Sequence, residues 1–363
     1  MKKFIFITLI LGIFIFGLEY VIFNKGYYID FDPNASITAK YKTEEKTIFI
    51  QNDKGQYEPF IIKGVDLASS IPGELANDYA IEHDTWLRWF AQIQDMGANT
   101  IRIYTIYNDN FYNAFYDYNK GREKPLYLLQ GIQISDSANN WGLDLYSTEI
   151  YASLDQDARD MVDVIHGRKN ITLNRMKGSG RYRKDVSQWV IGYLIGDYWS
   201  SDMIAYANHN TNYATTYQGK YFYTDENATV FETMLAKIMD HVVSYESKNY
   251  KTQRLISFSN DPQNDPFEYD LFYAQQLRKY VQLDPEHILT TENLNSGYFA
   301  SYRLYEFCPD FAHYFSTDQK RKLTDHLNRL NQEYYYQGYT QLLANYHSIP
   351  VVITEYGFST ARG

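Results

Sequence analysis

Residues 351–357 read Val-Val-Ile-Thr-Glu-Tyr-Gly. Four consecutive residues, three of them Val or Ile and the fourth Thr, have the composition of a strand buried on both faces. The run nevertheless delivers an acid, Glu355, at its end. In a sheet of parallel strands covered by helices that placement has a physical reading, because functional side chains gather at the C-terminal ends of the strands.

Working back along the chain, six earlier segments have the same character: residues 60–66, 99–104, 126–133, 189–195, 254–258 and 298–302. Helical segments separate them. Asp84 is placed to cap a helix whose apolar positions Trp86, Phe90, Ile93 and Met96 run into the stop signal Gly97. Thr229 and Glu232 form a capping box. That box opens a helix with Phe231, Met234, Leu235, Ile238, Met239 and Val242 on one face. Strand-forming residues 47–51 and 57–63 flank a turn signal at 52–55, which reads as a hairpin. Seven strands alternating with helices over about 300 residues predict an α/β fold, a (β/α)₈ TIM barrel with loop insertions. A doubly wound sheet is the rival, but the sequence Lys-Gly-Ser-Gly at 177–180 does not follow a strand, as a phosphate-binding turn would.

The predicted strand ends carry Asp66, Arg102 and Tyr104, Gln133, Asp197 with Tyr198 and Trp199, Asn260, Arg303 and Tyr305, and Glu355. This polar and aromatic set suits a carbohydrate site better than an apolar cofactor pocket. No clustered His, Asp or Glu spacing suggests a metal, and no cofactor is expected. A net charge of −10 argues against a nucleic-acid partner. The single cysteine, Cys308, excludes an intramolecular disulfide. The 37 tyrosines read either as sugar-stacking surface or as the codon bias of an AT-rich genome. His166 is a candidate neighbour of the cleft, although a lone histidine is more often structural.

At the other end of the chain, Lys2 and Lys3 precede an apolar run through residue 18, interrupted by Glu19 and resumed to residue 23. Its length is close to the roughly 20 residues that span a bilayer, and the lysines predict a cytoplasmic N-terminus with the remainder exported. A cleaved signal peptide leading to secretion is the rival, opposed by the lack of a small-residue cleavage site. The expected organisation is a membrane anchor at 1–23, contacting lipid through residues 4–23, a linker and hairpin at 24–58, and a barrel at 59–363.

The blocks at 60–74, 96–119, 125–132, 255–267, 297–311 and 350–363 resemble the clan A glycoside hydrolases, in particular bacterial membrane-linked members related to the family 2 barrel and the β-1,3-glucanosyltransferases. The resemblance runs from about residue 47 to 363 and is less specific for a substrate than for the clan. It implies a retaining mechanism with two carboxylates, at the ends of the fourth and seventh strands. Glu355 matches the nucleophile. Arg102 would hold it ionised, and Tyr305 matches a tyrosine that hydrogen-bonds it. Asp66, Tyr104, Trp199, Asn260 and Arg303 would contact sugar. A structural acid paired with an arginine is the rival reading for Glu355.

Three departures stand against that pattern. The fourth-strand glutamate position holds Tyr198, a poor proton donor beside a tuned carboxylic acid; Asp197 and Asp202 are the candidate substitutes. In the sixth-strand block a histidine has become Arg303 and a proline Glu306, and after the fifth strand Asp261 stands where relatives carry an aromatic. Only eight residues follow Glu355, so the last βα unit of the barrel is expected to be missing from this chain, through truncation, through supply by the hairpin or another chain, or because the barrel stays open. Two functions follow: an extracytoplasmic β-glycosidase or transglycosidase, or a non-catalytic descendant that binds glycan or assists envelope assembly.

Overall fold

The computed structural model describes residues 2–71, 73, 80–134, 144–172, 177–268, 271–276, 279–304 and 335–357. Seven strands form one sheet: β1 (Gly64–Asp66), β2 (Thr100–Ile103), β3 (Tyr127–Ile132), β4 (Val190–Ile195), β5 (Leu255–Asn260), β6 (Ala300–Arg303) and β7 (Val351–Glu355). They pair in chain order and all in parallel, with β1 and β7 at the two edges. In a flat sheet β2 and β7 would lie five strand spacings apart, about 24 Å. Instead Arg102 Nη1 on β2 is 3.2 Å from Glu355 Oε2 on β7. The sheet therefore curls into a nearly closed barrel, and the outer edges of β1 and β7 flank a cleft of about 1120 Å³.

Helices α1 (Lys2–Lys25), α2 (His83–Asp95), α3 (Asp109–Asn119), α4 (Ser153–Ile165), α5 (Ser201–Asn208), α6 (Val230–Tyr250) and α7 (Tyr335–Tyr346) accompany the strands. The largest core cluster joins β2–β5 to α2–α6 and includes Phe90, Ile101, Phe111, Val162, Val190 and Met234. Helix α6 starts where the sequence predicts, with both reciprocal bonds of the Thr229–Glu232 capping box formed. Helix α2 differs in detail. Trp86, Phe90 and Ile93 are buried, but Glu82 occupies the N-cap and Asp84 lies inside the first turn against His83. Met96 lies past the helix end, largely exposed, just before Gly97 at φ +90°.

The hairpin expected at 47–63 pairs Thr47–Gln51 with Tyr57–Pro59 and gains a third antiparallel strand, Tyr41–Glu44, that the composition did not suggest. Tyr41, Ile48 and Ile50 pack on Leu129, Ile191, Leu255 and Phe299, so this small sheet plugs one end of the barrel. Helix α1 is long and apolar enough to cross a membrane, with its lipid-compatible side chains exposed along the helix. Its last turns touch the barrel, where Arg183 lies 3.3 Å from Glu19 and 3.6 Å from the centre of the Phe23 ring.

Candidate active site

The C-terminal ends of β1, β2, β6 and β7, together with the residue two past β4, converge on two guanidiniums. Arg102 is almost wholly buried. Its Nη1 reaches Asp66 Oδ2 at 3.3 Å and Glu355 Oε2 at 3.2 Å, and its Nη2 reaches Asp197 Oδ1 at 2.5 Å. Nη1 also approaches the Thr354 carbonyl at 3.4 Å, which pins the guanidinium to the backbone of β7. Arg303 holds the other side of Glu355, with Nε 2.9 Å from Oε2 and Nη2 3.2 Å from Oε1. Such a fork-to-carboxylate pair fixes direction as well as charge. Tyr104 lies beside the cluster, its ring centre 4.5 Å from the Arg102 guanidinium.

Burial raises two carboxyls around the cluster. Burial lifts the Asp66 carboxyl to about 6, with Glu355 and Asp197 adding to the rise and Arg102 opposing it. Asp261, buried just beyond β5, is likewise lifted to about 6 by burial, against the hydrogen bond from the Gln263 amide and the charge of Arg303. Burial disfavours the charge on Arg303, but Asp197 and Glu355 more than offset it and raise its pKa. The Tyr104 hydroxyl is raised by burial and by the neighbouring carboxylates.

Other residues singled out in the sequence lie differently. Trp199 is 1% exposed and packs edge-on against Phe231 in the core, so it presents no face to a ligand. The reason is local: the chain turns at Gly196 with φ +74°, and the Trp199 ring fills the space that a Cβ there would need. Asn260 is buried and spent on loop architecture, donating to the Leu283 carbonyl at 2.8 Å and accepting from the Asp261 amide at 2.9 Å. Asp202, on α5, accepts a hydrogen bond from the Tyr280 hydroxyl. Tyr198 is 38% exposed, its ring 5.6 Å from the Arg303 guanidinium and its hydroxyl 3.4 Å from Gln263 Oε1. His166 lies at the opposite end of the barrel, beside the residues that precede β4 and β5. Tyr305, Glu306 and Cys308 lie outside the described residues.

From the sequence, Arg303 is expected as a sugar contact and Asp261 only as the loss of an aromatic. The signal for both was present, since each stands at a strand end, but pairing with Glu355 or deep burial cannot be read from position alone. Among the described residues no group of three or more His, Cys, Asp or Glu side chains is placed to hold a metal ion.

No family model matches the chain, and no curated protein matches it. Among solved structures it is similar to an endocellulase from Pyrococcus horikoshii in complex with cellotetraose, with a TM-score of 0.44 and 14% identity over 91% of this chain and 84% of that one. It is also similar to the β-glucuronidase of Parabacteroides merdae (TM-score 0.32, 11% identity, 72% of this chain) and to BpGH50 (TM-score 0.30, 14% identity, 66% of this chain). The chain spans 26% of the β-glucuronidase and 55% of BpGH50.

Proposed function

We propose that the protein is a retaining glycoside hydrolase or transglycosidase, with Glu355 as nucleophile and Asp66 as proton donor. The observation that carries this reading is the shared nitrogen of Arg102. Asp66 and Glu355 both approach Nη1, at 3.3 and 3.2 Å, so their nearest oxygens stand no more than about 6.5 Å apart, which admits the roughly 5–5.5 Å separation of retaining carboxylate pairs. A buried acid whose surroundings favour its protonated form, beside a carboxylate faced by cations, suits a proton donor and its partner. Asp66 holds its proton up to about pH 6, because burial and two neighbouring carboxylates disfavour its charge. Glu355 faces two guanidiniums, which match its charge and aim it.

In this mechanism Glu355 attacks the anomeric carbon as the Asp66 proton passes to the leaving oxygen. Asp66, now ionised, takes a proton from water or from an acceptor sugar, whose oxygen displaces Glu355. Asp197 balances Arg102. Tyr198 and Tyr104 flank the cluster as stacking surfaces for a sugar ring. The apolar helix α1 is read as the anchor, with Lys2 and Lys3 holding the N-terminus in the cytoplasm and the barrel outside, where cell-envelope or environmental glycan is the substrate.

One observation favours a second reading, a glycan-binding protein without catalysis. Arg303 engages both oxygens of Glu355, and a carboxylate accepting three charged hydrogen bonds is a weak nucleophile. The two readings separate on activated aryl glycosides, whose leaving groups need little protonation. The enzyme releases aryl alcohol in a burst, and a 2-fluoro glycosyl fluoride labels Glu355 covalently. Neither burst nor label across a panel of aryl sugars overturns the catalytic reading.

A further inference from the structure

The segment that follows α1 has two faces. The chain leaves the helix at Gly26 with φ +67°, where a Cβ would stand 3.3 Å from Asp163 Oδ2 and 3.6 Å from the Tyr245 hydroxyl. The Tyr27 amide donates to the Val21 carbonyl at 3.2 Å, so the segment starts level with the last turns of α1. From there alternate residues are tied to the foot of the barrel, the end opposite Glu355. The Tyr28 ring lies 5.6 Å from the Tyr250 ring and 4.7 Å from the Arg168 guanidinium. Asp30 accepts from Lys251 Nζ at 2.7 Å. Tyr250 and Lys251 close α6 just before β5 begins. The residues between these ties are turned to solvent: Tyr27 is 63% exposed, Ile29 41% and Phe31 88%. The chain then turns, the Ala35 amide donating to the Asp32 carbonyl at 3.1 Å, and returns to the barrel where Thr38 pairs with Thr252.

Three large apolar side chains held outward on a pinned segment form a surface suited to being covered. What covers them follows from the depth of α1. As a helix, residues 4–23 rise about 30 Å, which matches the hydrocarbon thickness of a bilayer. Glu19, four residues before Phe23, then lies about 6 Å inside the boundary, where a carboxylate needs a partner. The barrel supplies it. Arg183 Nη2 is 3.3 Å from Glu19 Oε1, and the same guanidinium lies 3.6 Å from the centre of the Phe23 ring. A barrel whose arginine meets the helix at that depth has its foot in the headgroup layer. Tyr20 and Tyr27, both exposed, bracket the same boundary, as interfacial aromatics do.

We propose that Tyr27, Ile29 and Phe31 form a wedge that seats in the bilayer interface, among the glycerol and upper acyl groups of the leaflet from which α1 emerges. The barrel then rests foot-down on the membrane, with the C-terminal ends of its strands turned away from it. This rests on α1 as the membrane anchor and not on the glycosidase reading. Aromatic rings and an aliphatic side chain suit that boundary, where apolar area is buried while polar tips stay wet. Asp30, the charged residue between them, is neutralised by Lys251.

The test uses the full chain, carrying Cys308→Ser, in phosphatidylcholine vesicles. Ile29→Cys, Phe31→Cys and Tyr206→Cys each bear a polarity-sensitive fluorophore; Tyr206 is on α5, which follows the C-terminal end of β4. With lipids spin-labelled near the top of the acyl chain, the probes at 29 and 31 should shift to the blue and lose emission, while the probe at 206 does neither. Alkaline carbonate should leave the protein in the vesicles. Ile29→Asp, which puts a charge into the wedge, should weaken quenching of the probe at 31. Because residues 29 and 31 are exposed, these variants keep the wild-type Tm, which separates lost contact from misfolding. Resistance to carbonate with probes at 29 and 31 no more quenched than at 206 overturns the wedge and leaves the anchor standing. Extraction by carbonate overturns both. A blue shift without quenching that grows with protein concentration assigns the face to a second copy of the chain and overturns the bilayer as its partner.

Discussion

Replacing Asp66 by asparagine separates catalysis from stability, because the two effects have opposite signs. The carboxyl rises from 3.8 to about 6 on folding, chiefly through burial. The folded state therefore binds a proton more readily than the unfolded chain. Below pH 3.8 both states are protonated and Asp66 costs nothing. As pH climbs through the window between 3.8 and about 6 the folded state loses stability, and above it the full penalty applies. A shift of that size corresponds to about 3 kcal/mol. Asparagine has the shape of the protonated acid and escapes the penalty. The variant should match wild type near pH 3.5 and exceed it by about 3 kcal/mol at pH 8, a Tm gain of about 4 °C for a chain of this size. Under the same conditions it should lose about 10²- to 10⁴-fold in kcat/KM on glycosides with poor leaving groups and far less on activated aryl glycosides. The wild-type profile on poor leaving groups should fall with an apparent pKa near 6, and that limb should vanish in the variant. A variant less stable than wild type at pH 8 would show that the Arg102 pairing outweighs burial and refute the assignment of Asp66 as the proton-carrying acid.

Arg303→Met removes the fork from Glu355 and leaves Arg102 as its cation. Because the Arg303 side chain is 23% exposed, the loss should be about 1–3 kcal/mol by urea titration, short of the value for a wholly buried pair. In the catalytic reading the same variant alters the rate of covalent labelling at Glu355 without moving the Asp66 limb of the pH profile. Gly196→Ala puts a methyl 2.2 Å from the Trp199 ring at φ +74°, which should destabilise by more than about 2 kcal/mol and quench the buried tryptophan signal less sharply on unfolding. Thr229→Ala breaks the capping box of α6 and should cost about 1 kcal/mol, with no effect on ligand or substrate.

The elements of this protein were legible in its sequence wherever they depended on local rules. Six of the seven strands lie within about two residues of their apolar runs, β1 keeps only the last three residues of its run, and α6 begins at its capping box, because strand burial and helix capping are settled by residues a few positions apart. The ends of those strands also marked Asp66, Arg102, Arg303 and Glu355 as a set. What the sequence could not state is which of them touch. Arg303 pairs with Glu355 because β6 and β7 are neighbours with a register shift between Tyr302 and Arg303. Arg102 spans three acids only because the sheet curls round until β2 faces β7. Trp199 reads as a sugar platform from its position after β4, yet the turn at Gly196 folds it into the core. Position along a strand is a one-dimensional property fixed by composition and period. Proton affinity and contact depend on burial and on groups hundreds of residues away, and those exist only once the barrel has closed.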